Sequence, residues 1–243
     1  MKSNPHKNSS AFTLLETVIA IGVLAVLLSG FLVVFAPAAA GIRQSINSQQ
    51  ADRLASALEE EMATLRQGQL PGPTSFDKSF DWILKSDKPA NAILVYQYRG
   101  DAKGALRNDG TRAPVGDITG KAPGTDFVVV PMARRRGDVN LTEDLKALEG
   151  AVYLVKPRQL IFGKNGMALG NAGEIKNPKP ESVPPAQGPF TSATAYPEAT
   201  LAFAAEFHQL PSTDSAYLAS GSFSTKLKNA KNPVFIRNLA VRR

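Results

Sequence analysis

"SSAFTLLETVIAIGVLAVLLSGFLVVF", residues 9–35, is apolar along nearly its whole length and carries one acid, Glu16, close to its start. An unpaired carboxylate in a bilayer costs several kcal/mol, so a chain that keeps one there needs something to hold it. On the N-terminal side, Met1–Ala11 is polar and contains Lys2 and Lys7 but no acid. Positive charge ahead of an apolar segment keeps that end in the cytoplasm and sends the remainder outward. From Phe12 to Ala40 Glu16 is the sole ionisable side chain, and a helix of about 20 apolar residues crosses a bilayer core. Residues 12–40 therefore suffice for one span.

Three readings compete for this segment. A secretory signal has an apolar core of about 7 to 15 residues followed by small residues; "APAAAG" at Ala36–Gly41 supplies such a cleavage site, but the apolar run is longer than a signal requires. A plain single-pass anchor fits the length and gives no reason for Glu16. In the third reading the acid has a partner. Ala11, Phe12, Thr13, Leu14, Leu15 and Glu16 resemble the processing motif of the type IV pilin and type II secretion pseudopilin superfamily. The resemblance implies a short basic leader cut before Phe12 by a prepilin peptidase, methylation of the new amino group, and Glu16 four residues on. Ala11 stands where the family usually has Gly. An ammonium freed at Phe12 would lie at the depth of Glu16, and pairing the two between neighbouring subunits offsets much of the desolvation of each. The helix macrodipole also favours an acid in the first turns.

Past Ala40 the pattern becomes amphipathic. Ile42, Ile46, Leu54, Leu58, Met62 and Leu65 recur at helical steps, with Arg43, Asp52, Arg53, Glu59, Glu60, Glu61 and Arg66 largely between them. That stripe is expected to lie on a sheet. Gly22, Gly30 and Pro37 are the candidate weak points of the helix. "RQGQLPGPTS" at 66–75 ends it and opens a loop. Strand-like runs follow at Ala92–Arg99, Asp126–Ala133, Gly150–Lys156, Gln159–Gly163, Thr200–Leu210 and Pro233–Val241, with a short helix expected at Leu141–Gly150. Two Gly- and Pro-rich stretches, 99–124 and 170–199, read as surface excursions. "VYLVKP" at Val152–Pro157 resembles the body of Verru_Chthon cassette proteins, a pilin-like set.

The fold class expected is α+β: a long N-terminal helix, half membrane-spanning and half amphipathic, packed on an antiparallel β-sheet. Its divisions are a leader at 1–11, the assembly helix at 12–40, its amphipathic continuation at 41–67 and a β-rich extracytoplasmic domain at 68–243.

Catalytic material is sparse. With no cysteine and only His6 and His208, a thiolate metal site and a Cys–His nucleophile have no ligands to draw on. The glycines of "GKNGMALGNAGE" fit neither phosphate-loop nor dinucleotide spacing. Asp77, Asp81, Glu143 and Asp144 read as solvated surface, and no cofactor is expected. "ARRRGD" at Ala133–Asp138 is the densest basic run; Arg134, Arg135 and Arg136 are expected at a strand end, reaching solvent, as the one candidate anion-binding group. The net charge of +7 is dispersed and reads first as solubility, which leaves nucleic acid as a testable partner only. The expected function is that of a structural prepilin-like subunit, a minor one on account of its size and long loops. It would sit in the bacterial inner membrane among lipid and other pilin-like subunits. The alternatives are an anchored domain that does not polymerise, a protein released near Gly41, and a DNA-uptake pilin.

Overall fold

The computed structural model describes residues 13–66, 74–163, 166–179 and 188–243. Two compact units are present, Met1–Ile46 and Asn47–Arg243. Helix α1, Leu14–Ala63, contributes to both. Within the first unit it passes through Gly22, Gly30 and Pro37 without interruption. A lone proline removes a single N–H donor and leaves the rest of the ladder in place.

In the second unit, α2 (Ser75–Lys85) is followed by β1 (Ile93–Asp101), β2 (Phe127–Arg135), α3 (Leu141–Lys146), β3 (Leu148–Gly163), β4 (Gly166–Ala172), β5 (Thr200–Gln209), α4 (Ser215–Ala219), α5 (Gly221–Asn229) and β6 (Phe235–Arg242). The strands form one antiparallel sheet in the order β2-β1-β3-β5-β6, with β4 on the distal part of β3. The two runs expected at 150–156 and 159–163 are one strand, because Pro157 falls where its missing N–H is harmless. β3 faces β1 up to Val155 and β4 from Arg158, so the proline sits at the change of neighbour while Ala205 of β5 lies opposite.

Alternation along β1 sends Ile93 and Val95 to one face and Leu94, Tyr96 and Tyr98 to the other, and both faces are covered. Leu54, Leu58 and Met62 of α1 and Phe76, Phe80, Trp82 and Ile83 of α2 cover the first face. Leu141 of α3, Leu218 of α4 and Phe223 and Leu227 of α5 cover the second. Strands buried on both sides lose polar alternation, which is why "ILVY" and "VYLV" read as continuous apolar runs. At roughly 1.5–3 kcal/mol for each fully buried large apolar side chain, these two layers are the main source of stability.

The fold is α+β as expected, with two differences. The apolar stripe of α1 is covered only over Leu54–Met62; Ile42, Ile46 and Leu65 are exposed. Of the second helical layer only α3 has a counterpart in the sequence, the short helix expected at Leu141–Gly150, which ends at Lys146; α4 and α5 are too short to show a period. They are set by their caps: Asp214 accepts from the Ala216 N–H and Ser220 from the Phe223 N–H. Likewise α2 starts on a capping box in which Thr74 and Asp77 satisfy each other's backbone N–H groups.

Candidate functional site

The N-terminal unit is built around a polar first turn and an apolar remainder. Glu16 Oε2 accepts from the Thr13 N–H at 3.4 Å, and the Glu16 N–H donates to Thr13 Oγ1 at 3.3 Å. That reciprocal pair is a capping box, readable in advance from the Thr-x-x-Glu spacing. Thr13, three residues away, is thus a partner for Glu16 within its own chain. Beyond it, the hydroxyls of Thr17 and Ser29 donate to the carbonyls of Thr13 and Ala25, at 3.2 and 2.8 Å, which removes both from the demand for outside partners. The large apolar side chains from Leu14 to Phe35 are exposed throughout, and Phe31 stacks on Phe35 at 3.8 Å. Leu14–Ala39, with mean hydropathy 2.9, is long and apolar enough to cross a membrane. Such a helix needs lipid or other helices around it, because water leaves its apolar surface unsatisfied on every side. Ala11 and Phe12 lie outside the described residues.

Fold and site together are consistent with a pilin-like α+β fold: an apolar N-terminal helix that opens on an acid, and an antiparallel sheet. Residues 6–32 match the family model described as the prokaryotic N-terminal methylation motif, the prepilin-type cleavage and methylation signature. No curated protein and no solved structure matches the chain. The motif and the one helix among the described residues long and apolar enough to cross a membrane are consistent with anchoring in the inner membrane.

The basic run is organised otherwise than expected. Arg134 points into the protein and is 2 % exposed. Its Nε donates to Asp144 Oδ2 at 2.7 Å, one terminal nitrogen to Asp109 at 2.9 Å and to Asp138 at 3.2 Å, and the other to Thr111 Oγ1 at 3.1 Å. Asp144, read as solvated surface, is wholly buried and also accepts from Tyr96 Oη at 2.7 Å and Arg107 at 2.6 Å. The reason is strand parity: Arg134 pairs with Leu94 across the β1–β2 ladder, on the face turned towards α3, where only enclosed carboxylates make the guanidinium tolerable.

Burial alone would lower the proton affinity of Arg134; Tyr96, Asp144 and Asp138 outweigh it and raise it. Burial, then the adjacent Asp144 charge, pushes the Tyr96 phenol well above its ordinary value. At Asp109 burial works against ionisation, but hydrogen bonds from Thr111 and Arg134 bring the carboxyl down to about 2.

Arg135 and Arg136 are also engaged. Arg135 bonds to Asp81 at 2.5 Å and lies over the Trp82 ring, and Arg136 lies over Phe223. Both Arg-Gly-Asp triplets are tied into the fold, Asp138 by Arg134 and Asp101 by the N–H groups of Lys103 and Gly104. This knot pins part of the 99–124 excursion, which is thereby a packed element. At the end of α1, Lys78 Nζ donates to the Glu61 and Thr64 carbonyls and to Glu61 Oε1, each at 2.6 Å, a cation at a helix C-terminus. Among the described residues no group of three or more His, Cys, Asp or Glu side chains is placed to hold a metal ion.

Proposed function

We propose that this chain is a structural prepilin-like subunit, a minor one, of a type IV pilus or a type II secretion pseudopilus. A prepilin peptidase cuts between Ala11 and Phe12, the Phe12 amine is methylated, and the apolar helix then bundles with those of neighbouring subunits. The Glu16 carboxylate receives the Phe12 ammonium of a neighbour, while the sheet-bearing unit is held outside the inner membrane. The observation that carries this reading is an apolar helix exposed on every side, with its one acid in the first turn of a prepilin-type motif. Edman sequencing of the protein from its native membrane tests it. Phe12, N-methylated, is the expected first residue; Met1 or Gly41 there would defeat the proposal.

One observation favours a second reading, an anchored domain that does not polymerise. The Thr13–Glu16 cap already gives the acid a place near the membrane boundary without a neighbour. Intact Met1 at the N-terminus would select that alternative. The DNA-uptake variant draws little support, since the Arg134 guanidinium is enclosed by carboxylates.

A further inference from the structure

His208 sits near the end of β5, 2 % exposed, and neither of its ring nitrogens has a hydrogen-bond partner. Its cross-strand neighbour is Leu154 of β3. Leu154 and Leu210, the next residue of the same parity as His208, both belong to the cluster that α4 and α5 cover. The imidazole therefore lies in the seam between the sheet and this helical layer. Buried polar nitrogens without partners are rare in folded proteins and cost stability, so their position calls for an explanation.

The charged groups around it come from three elements. On β3, Lys156 faces the ring and Arg158 follows on the same side; on α5, Lys226 adds a second cation near it, and Lys228 shares a shallow cleft with Lys156 and with Asp87 from the turn after α2. On β5, Glu206 Oε2 is 3.9 Å from Nε2, beyond hydrogen-bond distance, and its other oxygen is turned to Arg158 at 3.4 Å. The α4 residues carry no charge, and Ile236 and Asn238 of β6, beside Glu206 and Ala204, are neutral. A neutral imidazole fits this seam. An imidazolium does not, because it would face the ammonium groups of Lys156 and Lys226 while its nearest carboxylate, Glu206, is shared with Arg158.

We infer that His208 is an acid-sensitive latch whose protonation loosens the α4–α5 layer from the sheet. The helices are the part that gives way. β5 is hydrogen-bonded on both sides, to β3 and β6, whereas α4 and α5 have five and nine residues and rely on packing through Leu218, Phe223 and Leu227. In the closed state burial, then Lys156 and Lys226, bring the ring down to about 4. In an open state it returns to the ordinary histidine value near 6.5. The closed state thus gains stability from a neutral ring above the open-state value and loses it as pH falls. Linkage makes the open population rise about 30-fold between pH 7.5 and pH 5, levelling off at roughly 300-fold below the closed-state value.

Hydrogen–deuterium exchange of the full chain in mild detergent, corrected for the intrinsic pH dependence of exchange, reads this directly. Amides of Ser215–Asn229 should lose protection by about that 30-fold factor from pH 7.5 to pH 5, while those of β1 and β3 stay protected. The response should vanish in His208→Phe, which fills the seam with a ring that cannot titrate. Lys226→Glu, at a half-buried position, should shrink it by raising the proton affinity of the closed-state ring. Protection of α4–α5 that is flat over this range, or a response that survives in His208→Phe or is unmoved by Lys226→Glu, would overturn the inference. So would loss of β1 and β3 protection in parallel, which would mean global unfolding instead of a local latch.

Discussion

Replacing Asp144 by Ala is the sharpest test of the buried knot. Asp144 has no exposed surface and accepts three hydrogen bonds, from Tyr96 Oη, Arg134 Nε and Arg107, at 2.7, 2.7 and 2.6 Å. Removing one member of a buried ion pair costs about 3–5 kcal/mol, because the remaining charge stays out of water. Two features place this case at the lower end. Arg134 keeps Asp109, Asp138 and Thr111, and the Arg107 side chain, 17 % exposed, can turn to solvent. Tyr96 has no such escape. A loss of about 3 kcal/mol is expected, and at 2–4 °C per kcal/mol for a domain of this size Tm falls by roughly 6–12 °C. Unfolding of the full chain in mild detergent can be followed by the fluorescence of its one tryptophan, Trp82, which is 3 % exposed and so reports the intact core. Asp144→Asn keeps the side-chain volume and should lose most of the same stability, isolating the charge. A change within about 0.5 kcal/mol for the Ala variant, the range of an ordinary surface substitution, would show that the knot does not hold the domain together.

Two further outcomes are expected. Glu16→Gln keeps a side chain able to complete the capping box but offers no charge to an ammonium, whereas Glu16→Ala loses both. Both variants should insert in the membrane, and under the proposed function both should co-assemble poorly with wild-type subunits; normal assembly of the Gln variant would reduce Glu16 to a helix cap. A chain starting at Asn47 lacks the exposed apolar helix and retains Leu54, Leu58 and Met62 on the sheet. It should be soluble and monomeric by analytical ultracentrifugation, and aggregation would mean that this part of α1 is itself an intermolecular surface.

The basic run shows where sequence reading stops. Three consecutive arginines past an apolar stretch look alike on paper, but strand pairing gives neighbours opposite faces, and Arg134 alone is turned into the layer beneath α3. Its partners come from positions 109, 138 and 144, two of them in separate loops, and local pattern cannot bring those together. Asp144 is the same lesson in reverse: an acid in a short helix with Glu143 beside it, one fully buried and the other exposed.

What the sequence determined by itself is local and periodic. The apolar helix with its single acid, the prepilin-type motif, five of the six strands and the α+β class all follow from residue type and spacing within a few positions, the scale at which hydrophobic period and capping chemistry act. β4, the union of two runs into β3 across Pro157, the helices α4 and α5 on the second face, the carboxylate cage of Arg134 and the unpartnered ring of His208 were decided only by tertiary structure. Each depends on which strand edge lies next to which, and on which side chains the pairing leaves without water. That information resides in contacts that range from a few positions apart, as between Arg134 and Asp138, to more than a hundred, as between β1 and α5 in the second layer, where burial turns an ordinary charge or imidazole into a group that must be matched or kept neutral.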